Sequence, residues 1–328
     1  MYLVIIELPY KIRMKNENMI LASLLFGNQK PSMSTFLKPF LSSLKKMDEG
    51  VTLTSPERGT FTRQGYLLAV TADLPAQSLL CNSTQYNGTY SCLKCLQRGQ
   101  SAKVECDSTM VYPYDDTEPK GPARTIQNVV KHAKQVVENQ KLLEESKRSK
   151  SVVAVNGIKG PSWLLVFPSF NMVAGIAIDY MHGVLLGIQK LLIRLWFAPE
   201  FSSKSFSYYT SLCEVDKRLQ GIHPTTEISW LPRSIEKDLK YWKASEFGSF
   251  LLYYGLPVLH GILDDQRFNH YLLLAKAVHV LLKCKSKESE VDEAEKMLFM
   301  FCKNFESLYD KCYMTLTVHQ LVHLADGV

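Results

Sequence analysis

The sequence predicts a mixed α+β protein in two parts, an α/β segment followed by a large all-helical block. Three observations carry that expectation. Short apolar runs of strand period dominate residues 2–71. The run Tyr66-Leu-Leu-Ala-Val-Thr71 is followed by Asp73 and a helix start, Leu74-Pro-Ala76, which suits the C-terminal edge of a strand in an α/β domain. After Ile178 the apolar residues recur at helical spacing almost to the end of the chain.

Taken in order, Tyr2 to Leu8 reads as a strand stopped by Pro9, and Met19 to Phe26 as a second apolar run ending at Gly27. Ser34 to Lys46 is amphipathic and closes near Gly50. Val51 to Thr71 reads as a hairpin with Gly59 near its turn. Residues 81–122 are polar and turn-rich, an irregular excursion. Thr125 to Ser149 is a helix ending in the charged cluster Glu144 to Lys150, a solvated helix end. Ser162 to Phe167 reads as one more strand, and helices are expected over 179–197, 208–220, 233–254, 268–283, 288–309 and 314–326. The division that follows is 1–80 for a partial α/β core, 81–150 for a cysteine-containing segment plus helix, 151–178 for a returning strand and 179–328 for the helical insertion.

Composition excludes several classes. Of the 328 residues 46% are hydrophobic and 21% charged, the balance of a globular domain. The net charge of +6 is compatible with a polyanionic partner without demanding one. Eight cysteines in this length are too sparse for a disulfide-stapled secreted scaffold. Glu7, Lys11 and Arg13 interrupt the opening apolar run, so it does not read as a signal peptide. Asp179, His182, Lys190 and Arg194 interrupt the most apolar stretch, Met172 to Ala198, so it does not read as a membrane span. The expected location is intracellular. No P-loop, dinucleotide fingerprint or serine elbow is present, so no small-molecule cofactor is expected.

The sharpest local motif is Cys92-Leu-Lys-Cys95. Thiolates with two residues between them grip one tetrahedral Zn²⁺, because a tight turn brings both sulfurs to one side; the alternative is two unrelated thiols. Asp179 and His182, three apart on a helix, share a face and are the favoured completing pair, against a core histidine as the bland reading. His132 is a reserve ligand, and Gln97 is a poor one. Asp73 at a strand end is either a Mg²⁺-holding carboxylate or a helix N-cap. His319 and His323 stand at i, i+4, but Gln320 occupies the place of a metalloprotease glutamate, and a helix-surface role is favoured.

Read in series, these segments resemble the CACTA (En/Spm-type) transposase-domain family. The matching stretches include Ile6-Glu-Leu-Pro9, Phe36-Leu-Lys-Pro-Phe40, Ala72-Asp-Leu-Pro-Ala76, Gln85-Tyr-Asn-Gly88 through Cys92 and Cys95, Asn156-Gly-Ile-Lys-Gly160, Ile178-Asp-Tyr-Met-His-Gly183, Tyr241-Trp-Lys-Ala-Ser-Glu246 and His319 to His323-Leu-Ala-Asp326. Their order spans nearly the whole chain. The resemblance implies an incomplete RNase H-like core with a DDE-type acidic triad and a helical insertion before the last acid. Asp73 matches the second acid, Asp179/His182 a D-x-x-H element, and Cys92/Cys95 the thiolate pair. Relatives often carry a His just after the CxxC, where this chain has Gln97.

The first acid is expected upstream of Tyr2 and the third beyond Val328, with Glu246 the one substitute to name inside the chain. The resemblance implies Mg²⁺ chemistry in the intact ancestor, DNA as ancestral partner, a nuclear location and scope for homo-oligomers. The expected function is therefore a fragment of a DDE-type transposase core, inactive in strand cleavage as it stands. The alternative is a domesticated, zinc-stabilised scaffold that binds protein or DNA without chemistry.

Overall fold

In the computed structural model the opening apolar run pairs only briefly. β1 (Tyr2–Leu3) lies antiparallel to β2 (Ile20–Leu21), with a short helix α1 (Tyr10–Arg13) between them. The structure describes residues 1–27, 32–104, 107–145, 154–226, 228 and 230–328; residues 146–150 of the charged cluster lie outside them. Helix α2 (Met33–Glu49) begins where the Ser32 side chain accepts from the Thr35 amide, stops at Gly50, and buries Leu37 and Leu41 on its apolar stripe. The hairpin β3 (Val51–Ser55) with β4 (Gly59–Arg63) follows at once.

The segment expected as a central strand is extended but pairs at one point, a parallel bridge between Val70 and Ile176. The Val70 amide donates to Gly175 O at 2.8 Å and the Ala177 amide to Val70 O at 2.9 Å. Helix α3 (Leu74–Leu80) then opens on Asp73. Its buried Gln77 sends Nε2 to Ala72 O (2.7 Å) and Ala177 O (2.9 Å), closing the edge where the two segments run out.

The excursion after Cys81 contains a hairpin that the turn-rich composition hid, β5 (Gln100–Val104) with β6 (Asp107–Val111). Helix α4 (Ile126–Glu145) comes next. The strand expected over Ser162 to Phe167 is instead a 3₁₀ turn, Trp163–Val166. Ser162 Oγ accepts from the Leu164 amide and donates to Leu80 O, which holds the start of the turn.

From Met172 on the chain is helical, as its period indicates: α5 (Met172–Gly175), a wide π-type helix (Tyr180–Gln189) running into α6 (Lys190–Phe197), α7 (Leu212–Gln220), α8 (Ile235–Asp238), α9 (Ala244–Ser249) and α10 (Gly255–Leu259). Two long antiparallel neighbours follow, α11 (Asp265–Leu281) and α12 (Glu288–Tyr309), and then α13 (Leu316–His319), prolonged as a 3₁₀ run from Gln320 to Gly327.

The whole is a mixed α+β fold rich in helix, with two-stranded antiparallel sheets among the described residues. Two apolar clusters hold it. The larger joins the helices after residue 180 around Trp196, Phe247, Tyr271 and Phe301. The smaller packs Leu37 and Leu41 of α2 against Val129, Phe167, Phe170 and Ile176. A small third cluster is formed by Cys92, Cys95, Tyr112 and Leu316.

Candidate metal centre

Cys92 and Cys95 stand in a turn whose shape is set by a buried cation. Arg124 is 4% exposed and directs Nε at both Cys92 O (3.1 Å) and Cys95 O (3.2 Å), while Nη1 reaches Asn156 O (3.1 Å). The Leu96 amide donates to Pro122 O at 2.7 Å, and the Gln97 amide donates to Cys95 Sγ at 3.4 Å. The two cysteine carbonyls and the Leu96 and Gln97 amides thus find partners, and both sulfurs lie close together.

The other half of the site comes from the far end of the chain. Tyr112, the residue after β6, donates its amide to Met314 O at 2.6 Å and its hydroxyl to Gly88 O at 2.6 Å. Its ring stacks on that of His319 at 5.5 Å. His319 ends α13 and His323 follows one turn later on the same face, their rings 5.3 Å apart. One ligand atom from each of Cys92, Cys95, His319 and His323 lies within 4.8 Å of every other, and all four residues are buried. Cys95 Sγ meets His319 Nε2 at 3.2 Å. His323 Nε2 is buried and has no hydrogen-bonding partner, although its Nδ1 has one. A buried imidazole nitrogen without a partner, set beside two thiols, is costly in the metal-free state and fits a metal lone-pair donor.

The chemistry of the donor set suits Zn²⁺. Two sulfurs and two imidazoles make a closed Cys₂His₂ set with no open position, the structural rather than the catalytic kind. Burial works against a charge on Cys92, but hydrogen bonds from Cys95 and His319 and the nearby histidine charge hold its pKa well below the usual thiol range. Cys95 is pushed the other way, by its bond to the Cys92 thiolate and by burial. His323 is raised to about 9: burial opposes its charge, but Asp326 and Cys92 outweigh it. At pH 7 His323 therefore carries a proton that it must lose to act as a ligand. Zinc binding displaces that proton and any held by the thiols, so calorimetry in buffers of different ionisation heat should show proton release on binding, and affinity should fall with acid. Release of none would contradict binding through these thiols and imidazoles.

The completing pair expected from helical spacing is elsewhere. Asp179 Oδ1 caps its own helix by accepting from the Met181 and His182 amides, and Oδ2 lies 2.5 Å from His182 Nδ1. The two satisfy each other at the surface, and neither is in the four-ligand group. His132, the reserve, bonds Asn156 Nδ2 at 3.0 Å. Gln97 turns its amide to Pro113 O. Asp73 is the N-cap of α3, accepting from the Ala76 amide at 2.8 Å. It and Asp179 each stand three residues past the Val70–Ile176 bridge. Glu246 is held by both carboxylate oxygens to Arg233, at 2.7 Å each, and caps the start of α9 through the Lys243 amide.

The helix-surface role expected for His319 and His323 is overturned, because both are buried, although their spacing does place them as a pair. The signal that set them apart from surface histidines is their apolar company, Leu316, Val318, Leu321 and Val322, which are all buried. A helix wrapped in apolar residues with two histidines on one face is a buried helix with two polar atoms to satisfy.

Residues 1–115 match the transposase family tnp2. That match supports a transposase relationship for the chain. It takes in Asp73, Cys92 and Cys95 and ends before the two histidines. No match is found among curated proteins. Among the described residues no helix is long and apolar enough to cross a membrane.

Proposed function

We propose that this chain is a transposase-derived protein of the CACTA (En/Spm) type, in which zinc clamps a helical insertion onto an RNase H-like core. The observation that carries the reading is the position of the ligand set. Two thiols belong to the tnp2-matching part and two histidines to the last turns of the helical block, 224 residues separating Cys95 from His319. The division into 1–80, 81–150, 151–178 and 179–328 follows from the same picture. Zinc supplies cross-linking between distant segments there and no chemistry of its own.

Strand cleavage is not expected of the chain. In-line transfer at phosphorus needs two ions held in register by several carboxylates. Asp73 is occupied as a helix cap, Glu246 by Arg233, and Asp179 by its own helix and His182. The sulfur–imidazole set favours the scaffold reading, with DNA binding through Lys and Arg as a salt-sensitive remnant of ancestry, a nuclear location, and homo-oligomers within its scope.

Two measurements on the purified chain test this. Elemental analysis should find one zinc per chain. A labelled duplex incubated with Mg²⁺ or Mn²⁺ should remain intact. Metal-dependent nicking lost in Asp73→Ala would overturn the inactive-scaffold reading in favour of a working nuclease, and absence of zinc would overturn the clamp.

A further inference from the structure

His323 offers one ring nitrogen to the thiolates, and the structure accounts for the other. Nδ1 lies 3.3 Å from Asp326 Oδ2, three residues on along the same 3₁₀ run. A carboxylate accepts only, so Nδ1 keeps its proton towards Asp326, and Nε2, the nitrogen without a partner, is the one whose lone pair a metal takes once its own proton has left. Asp326 is itself pinned: its Oδ1 receives Lys120 Nζ at 2.6 Å, and the same Nζ reaches Glu295 of α12 at 2.6 Å. Lys120 opens the segment that wraps the thiolate turn. A β-carbon at Gly121 would stand 3.3 Å from Cys95 Sγ, Pro122 O receives the Leu96 amide, and Arg124 holds the two cysteine carbonyls.

We propose that Asp326, held in place by Lys120, is a positioning residue of the metal centre: it fixes the tautomer and the ring orientation of His323 and so sets metal affinity. The inference rests on the reading of Cys92, Cys95, His319 and His323 as a metal site. Outer carboxylates of this kind act by presenting the imidazole already turned and by raising its donor strength, and their loss weakens metal binding by about 10–100-fold. Lys120 ties Asp326 to α12, so the same contact joins the metal centre to the long helix pair.

The test uses the full chain with Zn²⁺ and, for a visible signature, Co²⁺. Chelator competition should give Asp326→Ala a zinc affinity about 10–100-fold weaker than the unaltered chain. Asp326→Asn, which keeps an acceptor oxygen, should recover part of it. Lys120→Met should fall between Asp326→Asn and the unaltered chain. The Co²⁺ absorption bands should shift in Asp326→Ala and return towards the original in Asp326→Asn, which a contact serving only to hold the helix would not produce. If Asp326→Ala does not fold, the asparagine and Lys120→Met variants carry the test by the same two readouts. Unchanged affinity and unchanged Co²⁺ bands in the variants, with the unaltered chain binding zinc, would overturn the role of Asp326 and leave the metal site standing. An unaltered chain that binds neither ion would overturn the site itself.

Discussion

Replacing Cys95 by alanine should abolish stoichiometric zinc binding and lower the unfolding free energy by about 4 kcal/mol or more under zinc at a thousandfold excess over its dissociation constant. Cys95 is 1% exposed and its sulfur is in contact with His319. The remaining three ligands lie within 4.8 Å of one another and would retain a weak residual affinity only. Metal binding is coupled to folding here because the ligands come from segments that the unfolded chain does not hold together, so binding free energy becomes folding free energy. The control is the unaltered chain treated with chelator, which should unfold at nearly the same denaturant concentration as Cys95→Ala. Amide exchange should rise in the same experiment at residues 316–327, because those turns meet the thiolate turn through the metal. Equal stability of the unaltered chain with and without chelator would rule out the clamp, since a ligand that binds only the folded state cannot leave the midpoint unmoved.

Gly157→Ala should destabilise the chain by about 3 kcal/mol or more whether or not zinc is present. Gly157 has φ of +82°, a region that side chains rarely enter, and a β-carbon there would overlap the Tyr90 carbonyl. Neither partner has room to yield. Gly157 O receives the Thr84 amide at 2.7 Å, Asn156 O receives Arg124, and Tyr90 is two residues from Cys92. The strain therefore falls on the support of the thiolate turn as well as on the loop itself. Urea unfolding of the variant beside Gly121→Ala, where φ is +67° but the nearest contacts include the movable Gln97 side chain, should give the larger loss at Gly157. A loss below about 1 kcal/mol would mean that the loop does not adopt this conformation in solution.

The candidate site was half legible. The CxxC motif is a local signal, readable because both sulfurs come from one turn whose geometry depends on four residues. Local reasoning then supplied a local partner pair. Asp179 and His182 do share a face, but that proximity is what lets them satisfy each other, at 2.5 Å, with no third group required. Asp73 shows the same ambiguity: an acid before Leu-Pro-Ala reads as a strand-end ligand or as a cap, and its Oδ1 accepts from the Ala76 amide at 2.8 Å.

By itself the sequence determined what depends on neighbours within a few turns. It carried the mixed α+β class, the helix over 288–309 and a helix from Ser34 to Lys46 closing near Gly50, where the structure has Met33–Glu49, because apolar period and a glycine stop act along the chain. It failed at Ser162 to Phe167, where an apolar run suits a strand but one hydroxyl, bonded to Leu80 O, bends it into a 3₁₀ turn. Only the tertiary structure decided which histidines meet the thiolates. His319 is 224 residues from Cys95, and no local period or spacing reports a contact at that distance. It is made by the Tyr112–Met314 hydrogen bond, the stacked Tyr112 and His319 rings and the helix pair α11–α12. Each of these exists only once the chain has closed on itself, because burial and packing, rather than adjacency, bring those atoms together.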